Sequence, residues 1–441
     1  MKELTHKLKE KSVGADASVR PFFRGKPECN KGITLIALII TIIVMLILVS
    51  VTVTFTIGEN GILSQAKQAK VEQDKATEQE ELIIEAYATY GKEAKFDKAK
   101  FKVAVEEKGY TFDETTGKIT TLKGYEFYVN EEGEITEEEP ILSWDGTTKQ
   151  EVEEENNTYY ISNAAELAWV AEQVNGGNTF SGKIIKLTKN IDLGNKLWTP
   201  IGRAISMSDI KIFAGEFDGQ GHVISNINAT SSEYENDVAL GGIFGVIQNA
   251  TIQNLGIENG IIQAYGDEQG CTQIGGIVGV AVGTVEISNC YNKNVKITYK
   301  YGNWRRSGIV SYCMDGTAFG MDKTTLTIEN CYNVTDIGED GVGILAEIAT
   351  GATANISNCY NVGKYDNKST DIESGICAWS NESANIDNCY TVPFEDGKRP
   401  EIEGVTVLDL EEMKGIASNL GSAFKADTKN INGGYPILTW Q

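Results

Sequence analysis

A two-part motif recurs at nearly fixed intervals through residues 241–392, and it leaves few folds open. Gly-Ile appears at Gly242-Ile243, Gly276-Ile277, Gly308-Ile309, Gly343-Ile344 and Gly375-Ile376, spaced 34, 32, 35 and 32 residues apart. Behind these come Ile252-Gln253-Asn254-Leu255, Ile287-Ser288-Asn289-Cys290, Ile328-Glu329-Asn330-Cys331, Ile356-Ser357-Asn358-Cys359 and Ile386-Asp387-Asn388-Cys389, and a Tyr follows each of these Cys. A unit this short cannot bury its own apolar face and must stack on its neighbours. Its apolar residues alternate over very short stretches, as in Thr284-Val285-Glu286-Ile287, the period of a strand. No unit has room for a ten-residue helix between strands, which excludes leucine-rich and α-helical repeats. The expectation is a right-handed parallel β-helix over 158–441.

In such a stack adjacent strands lie about 4.8 Å apart, so equivalent residues form columns. Val, Ile and Leu would fill the interior. The series Asn254, Asn289, Asn330, Asn358 and Asn388 can form an amide ladder at a corner. The Cys series shares its slot with Leu255, and a slot that accepts Leu or Cys is apolar and internal. Column spacing falls within the Cα range of a disulfide, but a straight column makes the required dihedral hard to reach. Cys29 aside, the Cys residues lie between 271 and 389, with no C-x-x-C pair. Their spacing puts them on successive layers rather than around one tetrahedral ion, so no metal site is expected.

The second constraint is a run of twenty-five residues without a charge, Ile33 to Ile57. As a helix it would be about 37 Å long, against a hydrocarbon core of about 30 Å, so it is expected to span a membrane. Residues 1–32 carry eight Lys/Arg and four acids, which leaves −27 for the remainder of a chain whose net charge is −23. Basic flanks stay cytoplasmic. The acidic bulk is therefore expected outside the cell, in a single-pass arrangement.

Beyond Gly58-Glu59-Asn60-Gly61, residues 62–91 are rich in helix formers and continue the membrane helix as a stalk, giving 33–95 as one unit. Residues 96–135 read as a small α+β unit, with a helix over Phe96–Lys108 and strands at 110–112, 118–120, 125–129 and 134–136. Residues 136–157 hold many acids and read as a linker. Within them Pro140-Ile141-Leu142-Ser143-Trp144 echoes Pro436-Ile437-Leu438-Thr439-Trp440 at the end of the sequence. A helix over Asn163–Val174 opens the last domain, with Asn163 and Glu166 in capping-box spacing.

Little in the chain points to catalysis, and no cofactor is expected. The two His are His6 and His222. There is no His-Glu-x-x-His, no Gly-x-Ser-x-Gly and no phosphate-binding loop. A glycosidase or lyase site would need paired carboxylates, or a basic residue beside Ca²⁺, for which Asp192, Asp209 and Asp218 are available. Each of these has an equally simple role at a turn or strand end. The acidic balance argues against nucleic acid as a partner. One segment stands apart, Tyr299-Lys300-Tyr301-Gly302-Asn303-Trp304-Arg305-Arg306, cationic and aromatic in an acidic setting. Tyr301, Trp304, Arg305 and Arg306 are a candidate binding spot for an extracellular glycan or protein. They could equally be a loop whose Trp packs on the stack and whose Arg residues pair with acids.

Two resemblances bear on function. Lys31-Gly32-Ile33-Thr34-Leu35-Ile36-Ala37-Leu38 resembles the processing site of type IV prepilins and pseudopilins. It implies cleavage between Gly32 and Ile33 by a prepilin peptidase, methylation of Ile33, and assembly with other pilin-like subunits. Ala37 stands where that family carries the Glu that pairs with a neighbouring subunit. The plain alternative is a simple membrane anchor. Gly275-Gly276-Ile277-Val278-Gly279 and Ile287-Ser288-Asn289-Cys290-Tyr291-Asn292 resemble the GLUG repeats of bacterial surface proteins. Trp198-Thr199-Pro200-Ile201-Gly202 and Phe217-Asp218-Gly219-Gln220-Gly221-His222 before them look like the opening coils of such β-helix domains, and Gly433-Gly434-Tyr435-Pro436-Ile437-Leu438 looks like their end. Together they imply a membrane-anchored, pilin-like or adhesin-like surface protein. A surface carbohydrate-active enzyme and a non-catalytic spacer are the alternatives.

Overall fold

A computed structural model describes residues 62–441 apart from 92–94, 115, 131, 138–143, 207–208, 231–239, 265–272, 300–305, 321–322, 339–340, 366–373 and 380–382. The chain divides into two compact units, 1–140 and 141–441. Among the described residues no helix is long and apolar enough to cross a membrane. The apolar run 33–57, with Gly32 and Ile33, lies outside them.

In the first unit, helix α1 spans Ile62–Ala88 and helix α2 spans Lys98–Glu107. The Asp97 side chain caps α2 by accepting from the Lys100 N–H at 3.1 Å. Strands Thr111–Phe112, Lys118–Thr120, Glu126–Val129 and Ile135–Thr136 form an antiparallel sheet in chain order. The last turn of this meander is set by Asn130, whose Oδ1 accepts from the N–H groups of Glu132 and Glu134. Leu82 and Ala86 of α1 close on Phe101, Val105, Ile119, Phe127 and Val129, so only the C-terminal third of α1 contributes to this core. The rest of α1 shows mostly exposed side chains where they are described.

The second unit is mainly β, and its larger sheets are parallel, beside two small antiparallel pairs, Arg203–Ser206 with Asp209–Lys211 and Phe424–Lys425 with Ile437–Leu438. Helix α3, Ala164–Asn175, follows the first strand of the parallel sheets, Thr158–Ile161. The Asn163 side chain accepts from the Glu166 N–H at 3.0 Å, while Glu166 reaches back to the Ser162 N–H at 2.6 Å, one residue beyond the usual capping-box partner. Leu167, Val170, Ala171 and Val174 are its buried face. Within the acidic segment 136–157, Trp144 is buried edge-on against Trp198 with ring centroids 6.0 Å apart, and the Gln150 N–H donates to the Ala165 carbonyl.

Each repeat supplies one strand to each of several parallel ladders. In the first, Tyr159 pairs with Ile185, then Phe217, Ile252, Ile287, Ile328, Ile356 and Ile386. Past the Asn corner the second ladder aligns Tyr291, Tyr332, Tyr360, Tyr390 and Thr406. The third aligns Ile274, Arg306 and Gly341, and the fourth Val278, Val310, Leu345 and Cys377. The register therefore advances by one sequence repeat per strand. The Gly-Ile isoleucines, Ile243, Ile277, Ile309, Ile344 and Ile376, are all fully buried in one continuous apolar core. Burying each such side chain is worth about 1.5–3 kcal/mol.

The corner Asn residues explain the motif. Asn254, Asn289, Asn330, Asn358 and Asn388 have φ between 48° and 54°. Asn is one of the few non-glycine residues that tolerates the left-handed region. Their amides also link the layers. Asn254 donates to Asp218, Asn289 to Asn254 at 3.2 Å, and Asn388 to Asn358 at 2.7 Å. A second left-handed column, Asn226, Asn259 and Asn294, turns the chain again in the longer strands. Its 33- and 35-residue spacing is legible in the sequence once the first column is known.

Candidate ligand-binding site

Past each corner the side chains alternate inward and outward. Cys290, Cys331, Cys359 and Cys389 point into the continuous core and are fully buried as free thiols, alongside Leu255. Burial pushes the Cys290 and Cys359 thiols well up, and Cys313 to about 12, so these sulfurs behave as apolar filling. The next residues, Tyr291, Tyr332 and Tyr360, face the other way and stack nearly parallel with centroids 4.9 Å apart. The C-terminal segment folds over this column. Trp440 stacks on Tyr291 at 5.6 Å, the Tyr332 hydroxyl donates to Gln441 at 2.9 Å, and Tyr360 donates to the Pro436 carbonyl. Burial raises the pKa of all three tyrosines.

One position beyond the tyrosines, Asn292, Asn333 and Asn361 form a wholly buried amide chain, donating in sequence at 3.1 and 2.8 Å. The residues that follow them, Lys293, Val334 and Val362, together with Val392 after the aligned Thr391, emerge between the ladder and the C-terminal segment. There they line a cleft of about 870 Å³ together with Asn294, Asp336, Lys364, Pro393, Phe394, Glu395, Asp409, Leu410, Asn432, Gly433 and Tyr435. Val334 is half-buried, while Val362, Val392 and Phe394 are largely covered. Leu410 is 46% exposed at the rim. Lys293 is engaged, lying 3.4 Å from Glu258 and donating to the Ile431 carbonyl at 2.8 Å. Asp336 accepts from the Lys364 N–H at 2.8 Å, which fixes its carboxylate beside the next repeat. Asp409 meets Arg399 at 2.6 Å. The cleft thus has an apolar floor, ring edges and charges of both signs. It was not foreseen from the sequence, because its far wall comes from residues 409–435, more than a hundred positions from Lys293.

A second cleft of about 560 Å³ lies at the C-terminal end of α3, lined by Trp144, Lys149, Glu172, Asn175, Leu197, Trp198 and Arg203 among others. Its indoles are buried and its Lys149 and Glu172 are paired at 2.7 Å.

Of the binding residues expected from the sequence, Tyr301, Trp304 and Arg305 lie outside the described residues. Arg306 is 6% exposed and pairs with Ile274 and Gly341. The repeat register puts it in a slot that holds Ile274 one repeat earlier, so it sits inside rather than on a ligand-facing surface. The early carboxylates are each occupied. Asp192 accepts from Gly194 and Asn226, both at 2.8 Å. Asp218, almost fully buried, accepts from Gln220 and Asn254, and Asp209 pairs with Lys211 at 3.0 Å. His222 continues the ladder opposite Leu255, and partial burial lowers its pKa. Among the described residues no three His, Cys, Asp or Glu side chains gather as a metal site.

No family model matches the chain, and no curated protein matches it. Among solved structures it is similar to one described as a "putative immunoglobulin A1 protease" from Bacteroides ovatus, at 18% identity and a TM-score of 0.40, over 64% of this chain and 93% of that one.

Proposed function

We propose that this chain is a membrane-anchored surface protein of pilin-like construction. Its second unit is a right-handed parallel β-helix of GLUG-like repeats held outside the cell to bind a ligand. The observation that carries this reading is the order of parts. A 25-residue uncharged run behind Lys31-Gly32 leads into α1, whose end packs on a four-stranded antiparallel sheet. A long helix seated on a small antiparallel sheet is how a pilin-like subunit would join its assembly helix to its head. The acidic charge of everything beyond residue 32 and the parallel stacking of the repeats support the outward orientation and the β-helix. Processing falls between Gly32 and Ile33, with a prepilin peptidase and neighbouring pilin-like subunits as partners. Ala37 leaves this chain without the carboxylate that would pair with a neighbour's N-terminus, which suits a minor subunit rather than the bulk of a filament.

N-terminal mass spectrometry of protein extracted from membranes tests the reading. A peptide beginning at methylated Ile33 is the expected result. A peptide that retains residues 1–32 would leave a simple anchor and end the pilin-like part of the proposal.

A further inference from the structure

We propose that the 870 Å³ cleft between the second ladder and the C-terminal segment binds a neutral oligosaccharide, laid lengthwise along the stack. The proposal rests on surface display and names the ligand class that display would serve. The volume falls within the range of small-ligand sites. Its direction follows from the register. Lys293, Val334, Val362 and Val392 each follow the same position of four successive repeats, so the floor runs about 14 Å at roughly 4.8 Å per layer. A floor that repeats at fixed steps suits a chain of similar units better than a compact molecule.

The chemistry narrows the class. Half-buried Val334 and Tyr435, with the uncovered edges of Val362, Val392 and Phe394, offer apolar and ring surface to the C–H faces of sugars. With Asp409 paired to Arg399 and Lys293 to Glu258, Asp336 and Glu395 outweigh Lys364 and disfavour an anionic polymer, while the carboxylates can accept hydrogen bonds from hydroxyls and Lys364 can donate. A peptide added as a strand would need an open edge, and the backbone of this wall is already paired. The Val334 and Val362 N–H groups already donate to the Asn292 and Asn333 carbonyls of the preceding repeats.

The test is calorimetric titration of the full chain in detergent micelles with cellohexaose and chitohexaose, and with polygalacturonate as the anionic probe. Leu410→Arg, at an exposed rim position, and Lys364→Glu serve as cleft variants, with thermal melting as the folding control. At least one neutral hexasaccharide binds, and each variant weakens that binding by about tenfold or more at an unchanged melting temperature. Failure of both neutral probes to bind, preference for polygalacturonate, or wild-type affinity in both variants would overturn the assignment. Protease digestion of intact cells separates this from the display reading. If the second unit is cleaved from the outside while no hexasaccharide binds, the cleft assignment fails alone.

Discussion

At the scale of single residues, Asn does two jobs at each corner, and substitution can separate them. Asn358 holds φ at 50° and accepts the Asn388 amide at 2.7 Å. Replacing it with Ala removes the amide and leaves a Cβ in the left-handed region without the local polar bonding that lets Asn tolerate it, at about 1–2 kcal/mol for the backbone plus about 1 kcal/mol for the bond. Gly removes only the amide and takes the positive φ freely, offset by about 0.5–1 kcal/mol of extra freedom in the unfolded chain. Asn358→Ala is therefore expected to lower the urea midpoint more than Asn358→Gly. Equal midpoints, or a worse Gly variant, would show that the amide column and not the backbone turn selects Asn. The recurrence of Asn was legible in the sequence because the same backbone problem returns in every layer. Arg306 is the complementary case. Its charge suggests a surface, but its position in the register is that of Ile274, and register decides burial.

At the scale of elements, the C-terminal segment is the piece whose place could not be read locally. Short strands, the Asn corners and the inward Cys series follow from periodicity, since each residue type answers to its own layer. The outward tyrosines follow from the same alternation. What covers them does not, because Trp440 and Tyr291 lie about 150 positions apart and share no pattern. The cleft inherits that difficulty, with one wall periodic and the other not. Trp440→Ala is expected to cost about 2 kcal/mol, less than a fully buried indole because Trp440 is only half-buried. It should also open the column. Tyr291, buried beneath Trp440, becomes reactive to tetranitromethane in the variant and stays protected in the parent, as read by peptide mass mapping. Protection of Tyr291 in both would show that its bond to Glu258 and the rest of the C-terminal segment keep it covered without the indole.

At the scale of the whole second unit, stability is a sum of layers and of contacts between adjacent layers, so the molecule should tolerate the loss of a complete layer but not of a fraction of one. Excising residues 309–343 joins Gly308 to Ile344 and restores the Gly-Ile junction. Ile287 then faces Ile356 where it faced Ile328, Cys290 faces Cys359, and Asn289 faces Asn358, with every inward position still inward. The losses are one layer of core, the middle amide of the Asn292–Asn333–Asn361 chain, Val334 and Asp336 of the cleft, and the Tyr332 bond to Gln441. Excising 309–325 instead joins Gly308 to Leu326, removing the strand Val310–Cys313 while keeping most of Thr325–Glu329, so the layer lacks one side of its core and its remaining positions lose their counterparts. The full-layer deletion is expected to keep the far-ultraviolet spectrum of a β protein and a cooperative, lower melting transition, and the 17-residue deletion to lose both. If the two deletions behaved alike, the repeats would not be interchangeable layers, and the fold would depend on contacts that only one arrangement of the C-terminal segment can make.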